Sequence, residues 1–109
     1  MFARIVEIAW KIEKKDELLK MVRQDILPVL RKQPGFLELL PFVPEIATEH
    51  MYAVTLWAEK RDAEKYVHDV FPRIEQMLKP FVTIPITVRT YAVETSVCKH
   101  LVEALIQAA

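Results

Sequence analysis

Three histidines (His50, His68, His100) and three tyrosines (Tyr52, Tyr66, Tyr91) are the side chains here best suited to move a proton or hold an oxygenated ligand. His68 falls just beside the apolar stripe of a helix, where a base could reach a pocket; simple contact with solvent explains the same position. His50 lies in a turn and His100 on a C-terminal helix. The three show no metal-ligand spacing, and Cys98-Lys99-His100 has no companion ligands, so the sequence offers no metal site. Arg4 and Glu7 interrupt one apolar strand and Arg89 another. A charge in such a strand needs a partner. A cross-strand ion pair or exposure at a rim would supply one, and an arginine holding a bound anion is the sharper alternative. Trp57 closes a strand that is apolar on both sides; it could line a cavity or simply pack.

The elements that position these residues follow from the hydrophobic period. Phe2 to Ile12 alternates as a strand. A helix follows, with Asp16 as its expected N-cap and an apolar stripe of Leu18, Val22, Ile26, Val29 and Leu30; Pro28 predicts a kink or a second short helix. Gln33-Pro34-Gly35-Phe36 stops it, Gly35 being free to take a positive φ. Phe36 to Val43 is a strand that Pro41 and Pro44 confine to an edge or a bulge, and it should form an antiparallel hairpin with the strand from Met51 to Ala58. There the period changes from two to 3.6. The helix that follows, expected to be capped by Asp62, runs to Leu78, with a bend or break at Pro72. Thr83 to Glu94 is the fourth strand. Ser96 is the expected cap of an amphipathic C-terminal helix, residues 95–109, appended to a domain of residues 1–94, and its apolar stripe must dock.

Strand, helix, strand, strand, helix, strand is a ferredoxin-like βαββαβ arrangement of the α+β class, with a four-stranded antiparallel sheet and both helices on one face. The other face would be bare and apolar, so a homodimer through that face, a dimeric α+β barrel, is expected. At 109 residues, 52% of them apolar, the chain is one domain. Fifteen basic residues balance fifteen acidic ones, leaving no electrostatic stripe for nucleic acid. No apolar run approaches the roughly 18 residues of a membrane span. With its single cysteine, Cys98, the chain suits a reducing compartment, and a cytoplasmic location is expected.

Pro34-Gly35-Phe36 opening the second strand, Leu56-Trp57 closing the third, and Arg61-Asp62-Ala63 with Tyr66 opening the second helix together resemble the antibiotic biosynthesis monooxygenase (ABM) family, over residues 2 to 94. The stress-responsive A/B barrel proteins share that architecture. The resemblance implies oxygenation or rearrangement of a small aromatic or polyketide-like substrate in a pocket between sheet and helices, often without metal, flavin or haem. The substrate supplies the electrons, while the protein supplies a base, hydrogen bonds to an anion and a dry cavity. Trp57 matches the family's tryptophan at the end of the third strand. The haem-degrading branch also uses an asparagine on the first strand and a histidine on the second helix. This chain has no asparagine, and the expected histidine region reads Phe71-Pro72-Arg73-Ile74-Glu75, so haem degradation is disfavoured. His68 is the candidate catalytic residue, and Trp57, Tyr52, Tyr66 and Arg89 are candidates for the substrate pocket. The alternative is a non-catalytic module of the same barrel that binds a small apolar or aromatic ligand or only dimerises.

Overall fold

Alternating apolar residues build four strands, β1 (Phe2–Ile8), β2 (Phe36–Phe42), β3 (Met51–Trp57) and β4 (Thr87–Ala92), in a computed structural model that describes residues 1–108. Ala109, the end of the expected C-terminal helix, lies outside them. All neighbouring strands are antiparallel and their order is β2-β3-β1-β4, the ferredoxin-like topology. Arg4 pairs with Thr55 on one side and Thr90 on the other, so these three residues share a face; Ile5, Val54 and Arg89 share the opposite one.

Helices α1 (Lys15–Met21), α2 (Leu27–Arg31), α3 (Lys60–Asp69) and α4 (Phe71–Leu78) connect the strands. The first crossover is not one rod. A widened π turn, Val22–Ile26, precedes α2, whose first turn holds Pro28, a residue with no N–H to give. Val70 separates α3 from α4, with Pro72 in the first turn of α4. Leu18, Ile26, Leu30, Ala63, Tyr66, Phe71, Ile74 and Leu78 from these helices meet Val6, Ile8, Met51 and Trp57 from the sheet in the main core. Pro41 stands on edge strand β2, which also carries a register shift between Phe36 and Glu38.

Several expected boundaries are corrected. β1 stops at Ile8; Trp10 makes only an isolated bridge to Val82, held by Lys11 N–H donating to Phe81 O (2.8 Å) and Thr83 N–H to Ala9 O (2.7 Å), while Ile12 belongs to a short 3-10 turn. β4 begins at Thr87 rather than Thr83, beyond Pro85. Asp16 and Asp62 are not caps: each lies inside the first turn of its helix, where a carboxylate still favours the dipole. Ser96 is not a cap either, since its Oγ donates to Glu94 Oε2 (2.6 Å) and α5 (Lys99–Ala108) starts three residues later.

Nor is the second sheet face bare. Leu105 of α5 packs with Ile5, Leu37 and Val93 over Ala3, Val54 and Leu56, each of which is buried. The tail therefore covers one end of that face, while Leu40, Phe42, Tyr52 and Tyr91 remain exposed. Among the described residues no helix is long and apolar enough to cross a membrane.

Candidate functional site

Arg4 points from the middle of β1 toward the helices and is only 3% exposed. Its guanidinium carbon stands 4.3 Å from the centroid of the Phe71 ring and 5.5 Å from that of Tyr66. The break at Val70 puts Phe71 at the start of α4. Among the described residues no carboxylate pairs with Arg4; Glu75 exerts a weaker pull than either burial or Tyr66. Burial pulls the guanidinium below its ordinary pKa, but an arginine keeps its proton in a protein. Aromatic faces offset about 2 kcal/mol for a desolvated cation, whereas the effective penalty of burying an ion is several kcal/mol. Cation–π contact alone leaves this charge short of compensation.

Tyr66 faces Arg4 from α3, and burial pushes its phenol up to about 12, outweighing the pull of the nearby cation. Near neutral pH it keeps its proton, so it can donate a hydrogen bond but is a poor base. Trp57 is fully buried behind it. Its indole N–H donates to Thr55 Oγ1 (2.9 Å), and its ring lies 4.9 Å from Tyr66 and 5.5 Å, edge-on, from Phe36. With Phe71 6.0 Å from Tyr66, an aromatic series runs from edge strand β2 to Arg4.

Two spaces meet at Arg4 and Phe71. On the inner side is a narrow apolar cavity of about 50 Å³ between sheet and helices, bordered also by Thr55 and Tyr66. Outside is an open groove of about 550 Å³ between α3 and β4, with Phe2, Val67, Val88 and Thr90 among its walls. The inner cavity is about the size of one or two waters. Of the two, only the groove has room for an organic ligand, and Arg4 and Phe71 form its floor. Lys60, Glu64 and His68 stand on its rim, Lys60 and Glu64 3.7 Å apart. His68 Nδ1 lies 2.7 Å from Asp69 Oδ1; a carboxylate there accepts, so in the neutral ring Nδ1 is the donor and Nε2 the acceptor. The His68 side chain is 89% exposed.

The candidates read from sequence thus divide between faces. Trp57 and Tyr66 lie together on the helix side and His68 lines the groove mouth, although Trp57 borders neither space. Tyr52 and Arg89 are on the opposite face, where with Ile5, Glu7, Phe42 and Tyr91 they line a hollow of about 210 Å³. His50 joins that group through Glu7 Oε2, 2.7 Å from its Nδ1. The parts of the groove not singled out from sequence include Phe2, Lys60, Glu64, Phe71, Val88 and Thr90. For the strand residues the signal was parity: Phe2 shares the face of Arg4, Thr90 pairs directly with Arg4 and Val88 with Val6.

Neither a family model nor a curated protein matches the sequence. Solved structures match the fold. A monooxygenase from the gene ActVA-Orf6 of Streptomyces coelicolor, in complex with nanaomycin D, superposes with a TM-score of 0.72 at 13% identity, over 85% of this chain and 87% of that one. An antibiotic biosynthesis monooxygenase gives 0.69 at 19% identity over 85% and 98%. The heme-degrader MhuD of Mycobacterium tuberculosis, with two hemes bound in its active site, gives 0.65 at 18% over 86% and 96%. The chain therefore has the ferredoxin-like α+β fold of the antibiotic biosynthesis monooxygenases.

Proposed function

We propose that this chain oxygenates a small aromatic or polyketide-like substrate in the groove between α3 and β4, with electrons drawn from the substrate. The observation that carries this reading is the His68–Asp69 pair at the mouth of an apolar groove floored by Arg4 and Phe71. In support, the ActVA-Orf6 protein of the same fold is a monooxygenase crystallised with nanaomycin D. His68 Nε2 would take a proton from an activated methylene flanked by aromatic rings. The resulting carbanion reduces dioxygen. One oxygen atom ends as the ring ketone, and the other leaves as water with the two methylene hydrogens, so one methylene and one dioxygen give one ketone and one water. Arg4, at the groove floor, supplies positive charge that holds an anionic substrate in place.

An oxygen electrode with purified protein and an anthrone-type substrate, with no cofactor added, tests the proposal. Expected are one dioxygen consumed per substrate, one labelled atom in the product when the gas carries oxygen-18, and a loss of about 10²–10⁴-fold in rate for His68→Ala, the usual size of general-base catalysis. A second reading, a non-catalytic ligand-binding module, is favoured by the exposure of His68, which leaves a base in water rather than in a dry site. Ligand binding without oxygen uptake above the uncatalysed rate would establish that reading instead.

A further inference from the structure

The charges around the groove do not balance, and the imbalance sits at one residue. On the rim Lys60 faces Glu64 at 3.7 Å, and His68 faces Asp69 at 2.7 Å. Arg4, the deepest of these groups, is in no ion pair: the Phe71 and Tyr66 rings and the Tyr66 hydroxyl lie beside it, and Glu75 pulls on it only weakly. It borders both the groove and the inner cavity, so a molecule entering between α3 and β4 meets a guanidinium at the floor, with Phe2, Val67, Phe71 and Val88 around it.

We infer that the groove selects its ligand by a carboxylate, and that Arg4 is the group that binds it. This rests on reading the groove as the ligand site. The guanidinium is a planar fork whose donors match the two oxygens of a carboxylate, and a carboxylate brings its charge at neutral pH without prior ionisation. One cation outside any ion pair matches one negative charge; a phosphate dianion would leave a surplus anion in an apolar groove. The body attached to that carboxylate must be flat and apolar to lie along Phe71 and between Val67 and Val88. The ligand class is therefore an aromatic or fused-ring monocarboxylate.

The test compares 1-naphthoate with 1-naphthamide, which share shape and differ in charge, by isothermal titration calorimetry at pH 7 on the full chain. Wild-type protein should bind naphthoate at least about tenfold more tightly than naphthamide, and its Tm should rise with naphthoate alone. Arg4→Met, which keeps most of the length of the side chain and removes the charge, should lose the preference while still binding naphthamide. Arg4→Lys should bind naphthoate more weakly than wild type yet keep the sign of the preference, which covers the case in which the methionine variant fails to fold. Equal affinity for the two probes in the wild type, or a preference that survives in Arg4→Met, would overturn the inference and leave the groove standing as a ligand site. Failure of both probes to bind would overturn the groove reading itself, and this inference with it.

Discussion

Arg4 and Glu7 stand three residues apart on one strand and meet opposite fates, because odd and even positions of β1 look to opposite faces. Glu7, on the outer face, has the ion-pair partner that Arg4 lacks, His50 Nδ1 at 2.7 Å, with the Tyr52 hydroxyl and, farther off, Arg89. The hydrogen bond from His50 is the largest influence holding the Glu7 carboxyl below its ordinary value. A carboxylate lowered in the folded state gives stability that is present above the unfolded pKa and is lost as pH falls through the folded one. His50→Ala should therefore raise the Glu7 titration midpoint toward the ordinary value, as followed by carbonyl-detected NMR. Glu94, held low mainly by Ser96, serves as the control and should not move. An unchanged Glu7 midpoint would mean that Tyr52 and Arg89 hold the carboxylate without the histidine.

At the scale of elements, the join between α2 and β2 depends on one backbone angle. Gly35 has φ +77°, and a Cβ built there would collide with the Asp62 side chain in the first turn of α3; Gly35 O also accepts from Ala58 N–H (2.8 Å). Gly35→Ala should cost about 1–2 kcal/mol from the left-handed backbone alone, with the collision added to it. Placing the same change in an Asp62→Gly background, which removes the clashing Asp62 Cβ along with its carboxylate, should relieve most of the collision and leave the backbone part, as read by urea denaturation of the four proteins in the cycle. A Gly35→Ala chain as stable as wild type would refute this account.

Such local features explain what was readable beforehand. Pro28, Pro72 and Pro41 announce the π turn, the α3–α4 break and the edge strand because a missing N–H acts wherever the rest of the chain goes. Asp16 and Asp62 mislead because α1 and α3 begin one or two residues earlier on backbone geometry, with no side-chain cap bond. The groove was harder to read. Two apolar parities on β1 and β3 look equivalent in sequence, and only the packing of α3 and α4 on the Arg4 side decides that Tyr52 and Arg89 leave the helix-side site while Phe71 and Val88 join it.

For the whole molecule, the remainder of the outer face needs a cover. Leu105 shields Ala3, Val54 and Leu56, yet Phe42 remains 54% exposed and Tyr91 49%, on a chain whose tail also leaves Leu101 and Ile106 exposed. Monomers rarely leave contiguous apolar patches larger than a few hundred Å² in water. We propose that residues 1–94 form the folding unit and that two copies dimerise through this face, with residues 95–109 bordering the contact. Sedimentation equilibrium at micromolar concentration should give a dimer. The double substitution Phe42→Glu, Tyr91→Glu should give a folded monomer, because both side chains are exposed in the single chain and tolerate charge there, while two pairs of like charges facing across a symmetric contact repel. Deleting residues 95–109 should leave the far-UV strand signal in place and weaken association, since it removes the helix that borders the partner. A wild-type chain that sediments as a monomer would show that the tail alone keeps this face in solution, and the two-copy arrangement would then have to be given up.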